Sequence, residues 1–266
     1  MDVGSVRQYD FEVDQNERAA EGIWRLRIHS HVARDLIPGQ FMNLQVPGDG
    51  SHILRIPLSF AKSSAVTSRV ELLYAVVGEG TERLSKMRTG DTSTLLGPCG
   101  KGWSLPTEQG RALLVAGGIG LPPILAAAGM LAERGIGYDL VVGARTKEML
   151  LMSDIKTCVA AGGDDALCSI CTDDGSFGLK GFTTDAAKTL MAGRDYVQVY
   201  TCGPNVMMAG VAKLAAEKDV DCQVSMERMM GCGFGACSCC NVALVGGGYA
   251  LCCQDGPVFN AREVVW

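Results

Sequence analysis

The 266 residues carry 24 Lys and Arg against 29 Asp and Glu, a formal net charge of −5, with 47% hydrophobic and 20% charged residues. This is the composition of a globular chain long enough for two domains and a small appendage, and it offers no basic surface for nucleic acid. No apolar run reaches the roughly 20 residues of a membrane span, and the polar, acidic start from Met1 to Gln15 lacks the features of a secretory signal, so a cytoplasmic protein is expected.

From Val3 to about Lys101 short alternating runs are broken by turn residues. Strands are predicted at Ser5–Val13, Ile23–His29, Phe41–Val46 and Val70–Val77, with Pro38-Gly39 and Pro47-Gly48 as turns. Several strands so spaced predict a small antiparallel barrel over residues 1–105. From Arg111 the pattern changes. The apolar run Ala112–Ala116 leads into Gly117-Gly118-Ile119-Gly120, and Pro122-Pro123 open a helix over Ile124–Glu133. Further apolar runs at Tyr138–Val142, Ala166–Cys171 and Tyr196–Tyr200 alternate with helical patterns at Phe182–Met191 and Val206–Glu217. Strand–helix alternation with continuous apolar strands predicts a doubly wound parallel sheet over 106–220. The fold class is therefore a multidomain α+β and α/β chain, closed by a small segment over 221–266 that cannot bury a core of its own without a staple.

That staple is legible in the cysteines. Of twelve, seven fall between Cys222 and Cys253, and clustering of this kind in a reducing compartment points to metal or redox chemistry. Cys232, Cys237 and Cys240 form C-x4-C-x2-C, the plant-type spacing of a [2Fe–2S] cluster. Gly231, Gly233 and Gly235 suit a tight loop around such a cluster, since glycine admits positive φ and lets backbone N–H groups approach sulfur. A zinc site would show a second C-x2-C arm, and adjacent Cys252 and Cys253 do not make one. Spacing favours Cys240 over Cys239 but leaves the fourth ligand open between Cys252 and Cys253. Cys99, Cys158, Cys168, Cys171 and Cys202 read as small buried hydrophobes. The histidines His29, His31 and His52 form no acid–base constellation, and no catalytic side-chain set is predicted.

Six motifs in order then resemble the electron-transfer subunit of the heterotetrameric, NAD-linked dihydroorotate dehydrogenase, within the ferredoxin reductase-like superfamily. They are Arg55-Ile-Pro-Leu-Ser-Phe60, Val77-Gly-Glu-Gly-Thr81 with Leu96-Gly-Pro98, Gly117-Gly-Ile-Gly-Leu-Pro-Pro123, Thr172 to Phe182, Cys202-Gly-Pro204 and Cys253-Gln-Asp-Gly-Pro-Val-Phe259. The last resembles the family's C-x-DGPVF ending and selects Cys253 as fourth ligand. Ile56 stands where the family commonly has a second arginine, and Arg228 is displaced by one position. The resemblance implies FAD on Arg55, Ile56, Pro57, Leu58, Ser59, Leu73, Tyr74, Ala75, Gly80 and Thr81. It implies NAD(H) on Gly117, Gly118, Gly120, Cys202, Gly203 and Pro204. Two glycine turns at strand ends are where a dinucleotide places its phosphates. The implied activity is an electron relay between NAD(H), FAD, the cluster and an FMN-containing catalytic partner in a hetero-oligomer. Competing readings are an equivalent subunit of a bifurcating complex, a pyrimidine reductase subunit, and a non-enzymatic cluster-carrying sensor. Arg145 and Lys147 after a strand end read as solvated charges rather than a 2′-phosphate site.

Overall fold

A computed structural model describes residues 6–48 and 53–266. The N-terminal part closes into a six-stranded antiparallel barrel of order β1-β2-β5-β4-β3-β6. Its strands are β1 (Arg7–Ala20), β2 (Ile23–His29), β3 (Phe41–Leu44), β4 (Ile56–Ser64), β5 (Arg69–Ala75) and β6 (Thr92–Cys99). Alternate residues such as Val13, Leu26, Ile28, Met42, Leu44 and Leu72 fill its interior. Helix α1 (Glu79–Ser85) links β5 to β6. No helix is predicted there from the sequence, because seven residues show too little periodicity to announce one.

The second part is a seven-stranded sheet of order β10-β9-β8-β7-β11-β12-β15. Its strands are β7 (Ala112–Gly117), β8 (Tyr138–Ala144), β9 (Cys168–Thr172), β10 (Leu179–Lys180), β11 (Gln198–Cys202), β12 (Asp221–Ser225) and β15 (Val258–Asn260). All neighbours are parallel except β15, which runs against β12. Helices α2 (Leu121–Ala132) and α3 (Met152–Ala161) cover one face, and α4 (Thr183–Gly193) and α5 (Asn205–Glu217) the other. Alternation along β7 carries this division: Ala112, Leu114 and Ala116 join the first core, Leu113 and Val115 the second. Helix α3 was not foreseen from the sequence. Strand order reverses between β7 and β11, so the crevice for a ligand opens at their carboxyl ends.

The C-terminal segment is less separate than expected. β12 is hydrogen-bonded along β11, and β15 returns to β12. Only the excursion between them leaves the sheet, carrying the hairpin β13 (Asn241–Ala243) and β14 (Tyr249–Leu251). The barrel is tied to the sheet domain by the Arg25–Asp154 ion pair at 2.6 Å and by the Trp103 indole, which donates to the Pro123 carbonyl at 2.9 Å. No helix among the described residues is long and apolar enough to cross a membrane.

Candidate functional site

Two cavities and a cysteine loop line up along the seam between barrel and sheet. The first cavity, about 370 Å³, is walled by Ile56, Pro57, Leu58 and Ser59 of β4, by Leu73, Tyr74 and Ala75 of β5, and by Thr81. Eight of the ten residues expected to hold a flavin thus converge. Leu73 and Tyr74 contribute only edges, being 2% and 1% exposed, and the Tyr74 hydroxyl donates to Asn16 inside the barrel at 3.1 Å. Arg55 departs from expectation. It does not line the cavity; just before β4 begins, its guanidinium donates to the Thr94 carbonyl and hydroxyl on β6, both at 3.1 Å.

Gly80 and Thr81 sit in the first turn of α1, where N–H groups have no partner within the helix. The Thr81 hydroxyl is committed locally: it accepts from the Val77 and Gly78 N–H groups at 3.0 and 3.2 Å, and donates to the Gly78 carbonyl. The apolar wall and free amide donors fit an isoalloxazine ring and an anionic pyrophosphate. The sequence missed the opposite wall, built from Phe41, Pro122, Pro123 and the stretch Met226, Glu227, Arg228 and Met230. Its one available signal was the position of that stretch immediately before the cysteine motif.

The second cavity, about 570 Å³, lies at the carboxyl edge of the sheet and is lined by Gly117, Gly118, Ile119, Pro204, Met207 and residues from Gly143 to Arg145. Gly120, buried, and Gly203, half-buried, lie where the two turns meet rather than in the lining. A Cβ on Gly120 would lie 2.7 Å from the Gly203 nitrogen, and one on Gly203 would lie 3.0 Å from the Gly117 Cα. Glycine here permits close approach of the two backbones. The Cys202 thiol, expected to touch the dinucleotide, is 2% exposed and outside the lining, since the strand pleat points it into the core. Thr183, Thr184 and Asp173 complete the cleft. Arg145 lines it as well, while Lys147 lies 5.9 Å over the Phe177 ring. Asp174 holds a turn, as its type suggests, by accepting from Ser176. Ala75 and Ile119 line both cavities, which therefore meet at a common wall.

Beyond the first cavity the cysteine loop folds back on itself. The Cys237 sulfur accepts from the Cys232 N–H at 3.4 Å, and the Cys240 sulfur accepts from the Cys253 N–H at 3.4 Å. Gln254 closes the loop by donating to the Phe234 carbonyl at 3.2 Å. Burial raises the Cys232 thiol, but N–H groups of Phe234, Cys237 and Ala236 and the Cys237 thiol outweigh it and bring it to about 7. Burial, then the hydrogen bond with Cys240, pushes Cys253 up to about 12, with Cys232 close enough to add to the shift. Two thiol pairs side by side suit a centre with two irons, each taking two cysteines. Among the described residues no three such ligands close on the point a single ion would occupy.

The structure also separates the neighbours in sequence. The Cys239 thiol turns away to the Met229 carbonyl, and Cys252, wholly buried, turns to the Met226 carbonyl at 3.2 Å. Of the scattered cysteines, Cys99, Cys158, Cys171 and Cys202 are buried as expected. Cys168 is exposed, because the short β10 pairs only with the far end of β9. His29 and His31 are exposed on the barrel, and His52 lies outside the described residues.

Residues 227–265 match the family model described as the iron-sulfur cluster binding domain of dihydroorotate dehydrogenase B. Over 265 residues the chain is 36% identical to the dihydroorotate dehydrogenase B (NAD(+)) electron transfer subunit of Geobacillus sp. strain WCH70, covering 98% of this chain and 99% of that one. A probable electron transfer subunit of the same name from Methanocaldococcus jannaschii is 39% identical over 226 residues, 85% of this chain and 79% of that one. Among solved structures, a chain of NADH-dependent reduced ferredoxin-NADP oxidoreductase, studied for flavin-based electron bifurcation, superposes with TM-score 0.83 at 31% identity, covering 96% and 89% of the two chains. A ferredoxin reductase of carbazole 1,9a-dioxygenase shares the fold at 20% identity, with TM-score 0.68, covering 81% of this chain and 67% of that one. Matched nearly end to end by these subunits and closed by their cluster-binding domain, the chain belongs to the dihydroorotate dehydrogenase B electron transfer subunit family.

Proposed function

We propose that this chain relays electrons between NAD(H) and an FMN-containing catalytic partner that oxidises dihydroorotate, through FAD and a [2Fe–2S] cluster. In this reading FAD belongs to the barrel, residues 1–105, and NAD(H) to the sheet domain, 106–220. The cluster belongs to 221–266, within the excursion between Ser225 and Val258. The flavin supplies the exchange of a hydride pair for single electrons, and the cluster takes those one at a time.

The observation that carries the reading is continuity of walls. Ala75 and Ile119 belong to both cavities, so a nicotinamide in the second would face a ring in the first. The stretch Met226–Met230 walls the first cavity and runs directly into Cys232. Phe41 lines the same cavity and packs in the core that holds Cys240 and Cys253. The chain's own residues therefore bind, orient and exclude water, with no side-chain acid or base needed. Cytoplasmic residence accords with a nicotinamide-linked role.

The test uses the chain loaded with FAD and iron. NADH added without oxygen should bleach the flavin and then reduce the cluster, while dihydroorotate alone should do neither until the partner chain is added. Flavin absorption unchanged by NADH would sink the proposal. The 31% identity to the bifurcating ferredoxin-NADP oxidoreductase chain supports a second reading, a subunit of that type of complex. The identity of the chain that copurifies separates the two.

A further inference from the structure

The barrel strand that faces the cysteine loop carries one polar side chain with nothing to bond to. All four residues of β3 are buried. Met42 and Leu44 point into the barrel core, so Phe41 and Asn43 share the opposite face. On that face Phe41 pairs with Cys99 of β6 and belongs to the core that also holds Cys240, Cys252 and Cys253. Asn43 is 1% exposed, and both its amide nitrogen and its amide oxygen are buried without a hydrogen-bond partner among the described residues.

Its neighbour is the cluster loop itself. A Cβ on Gly233 would coincide with the Asn43 Nδ2 and lie 2.8 Å from its Cγ, so the carboxamide rests directly on the residue after Cys232. Gly233 has φ of +78°, and the next N–H, of Phe234, donates to the Cys232 sulfur at 3.5 Å. The amide thus sits between the strand and the loop residue that follows Cys232. An apolar side chain is the ordinary occupant of such a position, and a buried amide persists where it has a partner to meet.

We infer that Asn43 is a positioning residue of the iron–sulfur centre, its carboxamide donating an N–H to a sulfur of the loaded centre and raising its reduction potential. Donors to cluster sulfur stabilise the extra negative charge of the reduced state. β3 pairs Asn43 with Pro57, which lines the flavin cavity, so the same strand holds both cofactor sites in register.

The inference rests on the proposed cluster ligation, and iron content keeps the two apart: two irons per wild-type chain uphold the ligation whatever Asn43 does. In the full chain loaded with FAD and iron, Asn43→Leu removes the amide at similar volume. We expect it to retain iron and to lower the cluster midpoint in an EPR-monitored titration, by about 59 mV for a tenfold loss of preference for the reduced form. The flavin midpoint should stay unchanged. Asn43→Ser, which keeps a donor, should recover part of the shift. Should Asn43→Leu fail to hold iron, the wild-type chain decides. Pulsed EPR of the reduced cluster with 15N-asparagine incorporated should show a coupled nitrogen. An unchanged cluster midpoint in Asn43→Leu, or no asparagine nitrogen coupling in the wild type, overturns the inference.

Discussion

Gly120→Ala tests the geometry of the dinucleotide cleft at its tightest point. The new methyl would lie 2.5 Å from the Cys202 carbonyl carbon and 2.7 Å from the Gly203 nitrogen, both backbone atoms of the peptide that ends β11, where Cys202 is still paired with Ala116 of β7. Ordinary carbon contacts are about 3.5 Å, so the two turns must part by roughly 1 Å. Overpacking of this kind costs about 1–3 kcal/mol of stability. The larger effect falls on function, because a misplacement of about 1 Å at a positioning element costs about 10²-fold in rate. Anaerobic stopped-flow reduction of bound flavin by NADH reads this directly, with a melting curve to track stability. Gly129→Ala is the control. It lies exposed in α2 with nothing within 4 Å of the added methyl, and it should stabilise the helix by about 0.5–1 kcal/mol without changing the rate. A Gly120→Ala protein that reduces its flavin within twofold of wild type refutes the close-approach argument.

The cysteine series should divide the same way as the thiol contacts. Cys237→Ser and Cys253→Ser should lose bound iron and visible absorption, whereas Cys239→Ser and Cys252→Ser keep both; iron retained in Cys253→Ser would move the ligand set. Thr81→Val strips the acceptor from two N–H groups at the start of α1, which should cost about 0.5–2 kcal/mol. The same variant should weaken FAD binding, and fluorescence titration showing unaltered affinity contradicts that role. Asp139, with no exposure, accepts from Arg111 at 3.0 Å, Arg194 at 3.1 Å and Tyr196 at 2.6 Å. Asp139→Ala leaves Arg111 and Arg194 only the exposed Asp165 and takes the acceptor from the Tyr196 hydroxyl and the Leu167 N–H. It should cost about 1–3 kcal/mol in chemical denaturation, and no measurable loss would show the network relaxes freely.

Much of this protein was written in local pattern. Alternation in the first hundred residues announced the barrel, and apolar runs separated by helical periods announced the parallel sheet. Cys232, Cys237 and Cys240 carried the cluster in their spacing. These signals survive in one dimension because each depends on residues a few positions apart. Short α1 and the exposed Cys168 escaped, since a seven-residue helix has little period and an edge strand's exposure depends on how far its neighbour extends.

Tertiary structure decided what lies across the seam. Local pattern held nothing to say that Arg55 braces Thr94 instead of facing the flavin cavity, that Cys202 points inward, or that Met226–Met230 forms the far wall. Nor did it mark Asn43, an ordinary residue in an ordinary strand until closure of the barrel against Gly233 leaves its amide without water or partner. Spacing along the chain determines which elements form and which thiols can share a loop. Which face of a strand meets which loop is settled only when distant segments pack, because pleat direction and burial are properties of the assembled sheet.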